Sequence, residues 1–597
     1  MSLLPQSAGY ATILVGGAFF AALMNGITWM QKRYTNFDPG KVEEFSSASR
    51  SVKTGMLSVG ITSAWVWAAV FLQTGTLTYL YGVSIPWWFG MGGFVEIAAF
   101  AFVSSKIKAN ASGASTFLQV AKVRFGVSGH LAYMFAALVA NFVVGSEILI
   151  GGAGVITGMT GISQYAAIWL LPLVIVAYVL TGGLRATFVS YWQRSIAARP
   201  AGTSKAFIFA GCFFFSVAFG VGSSMGLAAR ALATNPAFPA YPEGLSLAEI
   251  GAGLAGPFAS MTILGKAGPA MYTIIAFMAT TSALSAQLVA VSTIFSYDVY
   301  REYINKAATN VEMMRANHAV VIIWAIFLAG IDTAFAYIGL DLNFLFYLMA
   351  VCTSGAVFPI GLLMCWTRLN KAGALLGVIG GLVMGMVAWL VTAATTQKTI
   401  SITTLTDSKV ILSGSLSALG SGAIISIVLS LIKPASFDFE LTRAIGRGVA
   451  TPDPASQSNP SNEKVPPHIQ SNIVASNDIT YEPALRLVEG GGRTVETEAH
   501  YAEEVAKLEA SQTRFRIITG LFLLVILVLI PAPLAGTALV YPKGLFVLQC
   551  VAAATFVFVS LILIIAWPLF ESRKELATIL GRIVRNERLD ISQQQQE

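Results

Sequence analysis

Three carboxylates stand inside runs of otherwise apolar sequence. Glu147 lies in NFVVGSEILIGG, Glu96 in MGGFVEIAAF and Asp332 in LAGIDTAFAY. A charge within a membrane-spanning helix is costly, and for that reason it usually serves an ion, a proton or a substrate. Glu147 falls near the centre of its run among small residues, which allow close packing or line a cavity. It is the first candidate for transport chemistry, set against a carboxyl simply satisfied by a neighbouring helix. Glu96 is the second. Asp332, nearer the outer end of its run, reads as interfacial, and Asp298 in SYDVYREYI reads as the anchor of a helix end.

Two further stretches carry polar groups at places where carriers interrupt their helices. MLSVGITSAWVWAAVFLQTGTLTYL holds Gly60, Thr62, Ser63, Gln73 and Thr74 within one span. A break there frees backbone carbonyls for a cation and lets side chains reach substrate. AFMATTSALSAQLVAVSTIFSYDVY repeats hydroxyls at Thr280, Thr281, Ser282 and Ser285 and also reads as interrupted. Hydroxyls in such helices can equally bond to their own backbone.

Other chemistries find no support. His130, His318, His468 and His500 are scattered, and the first two read as solvated residues at helix starts. Cys212, Cys352, Cys365 and Cys550 all fall in apolar runs, without the spacing of a metal or redox site. No glycine loop of the phosphate-binding kind occurs, so ATP is not coupled directly within this chain. No catalytic residues and no metal site are expected, and neither is a nucleic-acid partner. A channel or a gradient-driven carrier remains.

The elements that must position these groups are membrane helices. Hydrophobic residues make up 55% of the 597 and charged ones only 11%, with a mean hydropathy of +0.70. An ordinary soluble domain carries about 25% charged residues. A span needs about 20 mostly apolar residues, and thirteen segments qualify. They are 10–30, 54–80, 85–105, 130–158, 165–181, 205–232, 267–297, 316–338, 341–366, 372–395, 410–432, 517–534 and 544–570. The first reads as a retained helix, since no small-residue cleavage site follows it. With the N-terminus outside, only Arg230, Lys266, Lys398, Lys409 and Lys543 of 37 basic residues face outward. The inward bias of Lys and Arg therefore favours an N-outside, C-inside topology. Ala435 to Ser511, with TPDPASQSNPSNEKVPPHIQSN, lacks the apolar content for a core. It reads as a disordered cytoplasmic loop with a short helix at VETEAHYAEEVAKLEA.

GITSAWVWAA, VLTGGLRATF, YWQR and SAQLVAVSTIFSYDVYREYI together resemble the sodium:solute symporter family, in its fungal and plant urea active transporter branch. The likeness covers most of the chain up to about Pro434. It implies an all-α plasma-membrane protein with two inverted repeats of five helices around a midplane site, flanked by extra helices. It implies import of urea, or of a related small nitrogen compound, by cation symport. By the same resemblance the carbonyls of Ile61, Ala64 and Ala279 and the hydroxyl of Ser282 are coupling-ion ligands. Relatives often have a second hydroxyl where Ala283 stands. The loss of that oxygen weakens a sodium site, which needs several hard oxygens, and leaves room for H+ in place of Na+. Glu147 is then the expected proton carrier. Trp65, Trp67 and Gln73 fall where substrate contacts are expected, and flat, neutral urea suits aromatic walls with amide or hydroxyl partners. Helix packing is the other reading of both tryptophans.

One junction departs from the family pattern. GGLRA and YWQR, which the family separates by two complete helices, are nearly fused here, with only Phe188, Val189 and Ser190 between them. The divisions expected are 1–53, first helix and cytoplasmic linker; 54–188 and 191–434, two parts of the core and the helices after it; 435–513, loop; 514–570, two helices; and 571–597, tail. Losing two helices preserves sidedness but removes the partner of the broken helix 54–80, so the chain as it stands is expected to be impaired in transport. Two readings stay beside this one. The first is a non-transporting membrane sensor or interaction protein that signals through its loop. The second is a symporter for polyamines or amino acids.

Overall fold

The computed structural model describes residues 2–34, 53–111, 113–187, 202–443, 445 and 540–585, with a few positions between 520 and 533. Fifteen helices organise them. The first, α1, spans Gln6–Gln31. A sharply bent pair follows, α2 (Thr54–Trp65) and α3 (Ala68–Tyr81), meeting at 59°. Then come α4 (Ser84–Asn110), α5 (Phe117–Thr160), α6 (Gln164–Thr187) and α7 (Thr203–Leu232). A short apolar helix, α8 (Ala255–Leu264), precedes α9 (Ala267–Ile294) and α10 (Asn310–Tyr337). A second bent pair, α11 (Leu342–Ser354) and α12 (Val357–Cys365), turns by 40°. Helices α13 (Lys371–Thr396), α14 (Ser408–Ile432) and α15 (Lys543–Arg585) complete the set.

Nine of these helices are singly long and apolar enough to cross a bilayer, and each bent pair adds one more such span. Eleven of the expected segments coincide with these spans, and the twelfth, 165–181, is the shorter apolar helix α6. Segment 544–570 is the first part of α15; of 517–534 only residues 520, 521, 524–530 and 533 are described, and the 446–511 stretch with its expected helix lies outside the described residues. The helix α8 was not expected from the sequence. Its ten residues fall short of a span, and its burial against Phe238 and Tyr272 keeps it within the body.

Close helix approach depends on missing side chains. Against α4, a Cβ on Gly93 would stand 2.1 Å from the Phe214 ring of α7. Gly377 and Gly422 bring α13 and α14 together, and Gly355 between α11 and α12 lies against the Gly381 and Gly422 backbones. That contact is where the second pair bends. At the centre, Leu149, Ile156, Ile168, Leu284, Leu288 and Leu328 join α5, α6, α9 and α10 into one apolar core. This core clamps α5 beside the broken pair.

Of the polar stretch from Ala435, the first residues pack on the body. The Thr442 hydroxyl donates to the Asn110 carbonyl at 2.6 Å, and Arg443 Nε donates to the Ala109 carbonyl at 2.9 Å. Arg124 of α5 stacks on Phe437 and Phe439 of the same stretch.

Candidate functional site

The break between α2 and α3 puts an indole where a helix would not. Val66 leaves helical geometry at φ −93° and ψ 73°, and Trp67 is extended at φ −91° and ψ −179°. From this position Trp67 Nε1–H donates to Glu147 Oε1 of α5 at 3.2 Å. Glu147 is fully buried, and its other oxygen, Oε2, has no hydrogen-bond partner among the described residues. Trp65 lies 6.2 Å from Trp67, ring to ring, and meets the Phe214 ring edge-on at 5.9 Å. Of the expected substrate contacts, Trp67 and Glu147 thus meet directly, with Trp65 beside them. An aromatic wall thus stands beside a buried carboxyl oxygen that has no hydrogen-bond partner among the described residues.

Gln73 is buried further along α3, and its Nε2 has no partner among the described residues. No observed bond ties it to the Trp67–Glu147 pair. A residue the sequence did not single out beyond its hydroxyl series is Thr280. Its Oγ1 is buried without a partner among the described residues, and a Cβ on Gly152, five residues along α5 from Glu147, would stand 2.2 Å from it.

The last turn of α2 presents carbonyls with no helical partner. Ser282 of α9 donates to the Ser63 carbonyl at 3.4 Å, a long hydrogen bond. The hydroxyl carried over by resemblance therefore meets this turn at the residue between Ile61 and Ala64. Ile61 is fully buried, whereas Ala64 and Ala279 are partly so.

Three expectations need correction. The hydroxyl-rich α9 is unbroken across Thr280–Ser285, because its hydroxyls bond to their own helix: Thr281 to the Phe277 carbonyl at 2.9 Å and Ser285 to the Ser282 carbonyl at 2.9 Å. Its winding changes only later, to a π-helix over Phe295–Ile304. His130 is not a solvated helix start. It is 1% exposed inside α5, with Nε2 3.1 Å from Asp298 Oδ1 and Nδ1 2.6 Å from the Tyr303 hydroxyl. A π-helix pairs residues five apart, which is why Asp298 and Tyr303 reach one imidazole together. Asp298 does anchor helix ends, accepting also from Thr116, the N-cap of α5, at 2.9 Å. Asp332, expected at the interface, is fully buried. Glu96, by contrast, lies on an exposed face of α4.

These features define the class: an all-α integral membrane protein in which a sharply bent helix pair delivers an aromatic group to a buried carboxyl. The sequence pattern of the sodium:solute symporter family matches residues 45–198 and 191–381. The chain belongs to that family. It is 29% identical over 680 residues to the urea active transporter of Saccharomyces cerevisiae, covering 97% of this chain and 92% of that one. It is 29% identical over 537 residues to the urea-proton symporter DUR3 of Oryza sativa subsp. japonica, covering 74% and 73%. Probable urea active transporter 1 of Schizosaccharomyces pombe is 26% identical over 673 residues, covering 98% and 94%. A solved Na+-coupled sialic acid symporter superposes with a TM-score of 0.48 at 14% identity, over 70% of this chain and 98% of that chain. The alignment with the yeast protein is longer than the 597 residues of this chain, so the relative carries residues that this chain lacks. The junction at Phe188–Ser190 lies outside the described residues, and the two family matches overlap there, at 191–198.

Proposed function

We propose that this chain is a plasma-membrane urea symporter of the family's urea active transporter branch, coupled to protons, and that its own transport requires two helices absent at Phe188–Tyr191. The observation that carries the reading is the Trp67–Glu147 hydrogen bond at the α2–α3 break, with Glu147 Oε2 left unpaired in full burial. The names of the yeast, rice and fission-yeast relatives point to urea, and that of the rice protein to protons.

In this mechanism urea lies against the Trp65 and Trp67 rings and donates an N–H to Glu147 Oε2. The proton travels on Glu147, so that carboxyl and substrate are loaded together from one side. A neutral, loaded site crosses more readily than a buried carboxylate, because an unpaired buried charge costs several kcal/mol. The α2–α3 pair and α9 then rock against the rest, as alternating access requires. The Ser282–Ser63 contact is the hinge-side tie between them. A cation site built on Ile61, Ala64, Ala279 and Ser282 is the weaker alternative. It offers four protein oxygens, and the one bond made by Ser282 goes to the carbonyl of Ser63.

The missing helices are inferred from the two family matches meeting at the junction and from a yeast relative whose alignment is longer than this chain. The test is uptake of labelled urea by cells without a carrier of their own, expressing this chain or a form with the two helices restored. Uptake by the restored form that rises with external acid and ignores sodium supports the reading. Uptake that follows sodium and ignores pH overturns proton coupling.

A further inference from the structure

Asp332 on α10 is fully buried, and neither of its carboxyl oxygens has a hydrogen-bond partner among the described residues. The hydroxyl of Ser146, equally buried and equally unpartnered, faces it from α5. Around them the α5–α10 contact is apolar. A Cβ on Gly145 would meet Leu328 at 3.0 Å, and the Phe142 and Phe335 rings stand 6.0 Å apart.

The charged groups on the neighbouring elements are few. On α5 the next residue is Glu147, already engaged with Trp67. From α6, Trp169 donates to Thr333, not to Asp332. From α9, Gln287 donates to the Asn141 carbonyl at 2.6 Å. On the π-helical continuation of α9, Asp298 is taken by His130 and Thr116, and Glu302 by Lys122. Among the described residues no cationic side chain pairs with Asp332.

We propose that Asp332 and Ser146 form a proton-binding site separate from the Trp67–Glu147 pair. An isolated carboxylate in such surroundings is neutralised rather than left charged. A sodium ion would find two carboxylate oxygens and one hydroxyl, too few for a hard cation. A proton needs one oxygen. It forms an O–H bond on the carboxyl, comes from hydronium, returns to water, and leaves the Ser146 hydroxyl as the single hydrogen-bond partner. This site rests on the proton-coupled reading and deepens it by giving the chain a second proton position, reached from the residue of α5 that precedes Glu147.

The test is infrared spectroscopy of the purified full-length chain in H2O and D2O, comparing Asp332→Asn with Glu147→Gln. The expected result is a protonated carboxylic-acid band, shifted by deuterium, that Asp332→Asn removes and Glu147→Gln keeps. An unchanged set of bands in Asp332→Asn overturns the site. Should that variant fail to fold, the chain is grown with 13C-labelled aspartate and Ser146→Ala is introduced. A protonated aspartate band that moves in Ser146→Ala supports the site, and the absence of any band sensitive to Ser146 overturns it. This readout needs no transport. A parent chain that takes up no urea even with its helices restored would sink the functional reading alone.

Discussion

Replacing Trp67 by Phe keeps most of the ring and deletes the one N–H that Glu147 accepts, at 3.2 Å. Glu147 Oε2 already lacks a partner among the described residues, so the variant leaves both oxygens of a fully buried carboxyl unpaired. A typical hydrogen bond contributes about 0.5–1.5 kcal/mol net, whereas an orphaned buried polar group costs about 1–3 kcal/mol. Interhelical side-chain bonds in membranes average only about 0.6 kcal/mol, because the unfolded chain finds other partners. Glu147 is fully buried and accepts only from Trp67 among the described residues, so the larger effect should win here. The coupling expected between Trp67→Phe and Glu147→Leu is about 1–1.5 kcal/mol, or roughly five- to twelvefold in an equilibrium constant. It is read by a double-mutant cycle on the unfolding free energy of the purified protein in mixed micelles of increasing SDS content. Independent sites add within about 0.3–0.5 kcal/mol, so a coupling under about 0.3 kcal/mol would refute the bond as a structural tie.

Glu147→Gln in the restored form should bind urea yet lose the acid stimulation of uptake, which pH-stepped flux assays would detect; full stimulation would remove Glu147 from the coupling. Gly422→Ala pushes a Cβ to 2.2 Å from the Gly355 carbonyl oxygen, a backbone atom, and should destabilise by about 1–3 kcal/mol. Its control, Gly420→Ala, meets nothing within 4 Å and should leave the melting midpoint unchanged or slightly raised. Gly126 holds φ 72° and ψ −164° at the kink in α5, so Gly126→Ala should cost about 1–3 kcal/mol in the same melting assay. His130→Ala leaves Asp298 buried beside a single donor among the described residues, Thr116, and should lower stability in the melting assay by about 1–3 kcal/mol; no loss would show that the pair is not a tie between α5 and the end of α9.

The apolar runs made the helices legible, because a span must be long and uninterrupted by charge. The α2–α3 break was legible too, from Gly60, Thr62 and Ser63, although it falls at Val66 and Trp67, just beyond them. What misled was composition without direction. Thr281 and Ser285 look like site hydroxyls, yet they spend their bonds on their own helix. The bend at Gly355 depends on Gly381 and Gly422, which approach it from other helices. The His130–Asp298 contact joins residues 168 positions apart, and the Trp67–Glu147 contact joins residues 80 apart. Glu147 was singled out beforehand by its place in an apolar run, and Trp67 by the family resemblance. That they touch is a property of the packing alone.

The most direct test of the account is paired uptake of labelled urea at low concentration by this chain and by the form with two helices restored at Phe188–Tyr191, at acid and neutral external pH. Saturable, acid-stimulated uptake is expected from the restored form, and little or none from the chain as it stands. Equal uptake by both would contradict the requirement for those helices, and no uptake by either would contradict urea symport itself.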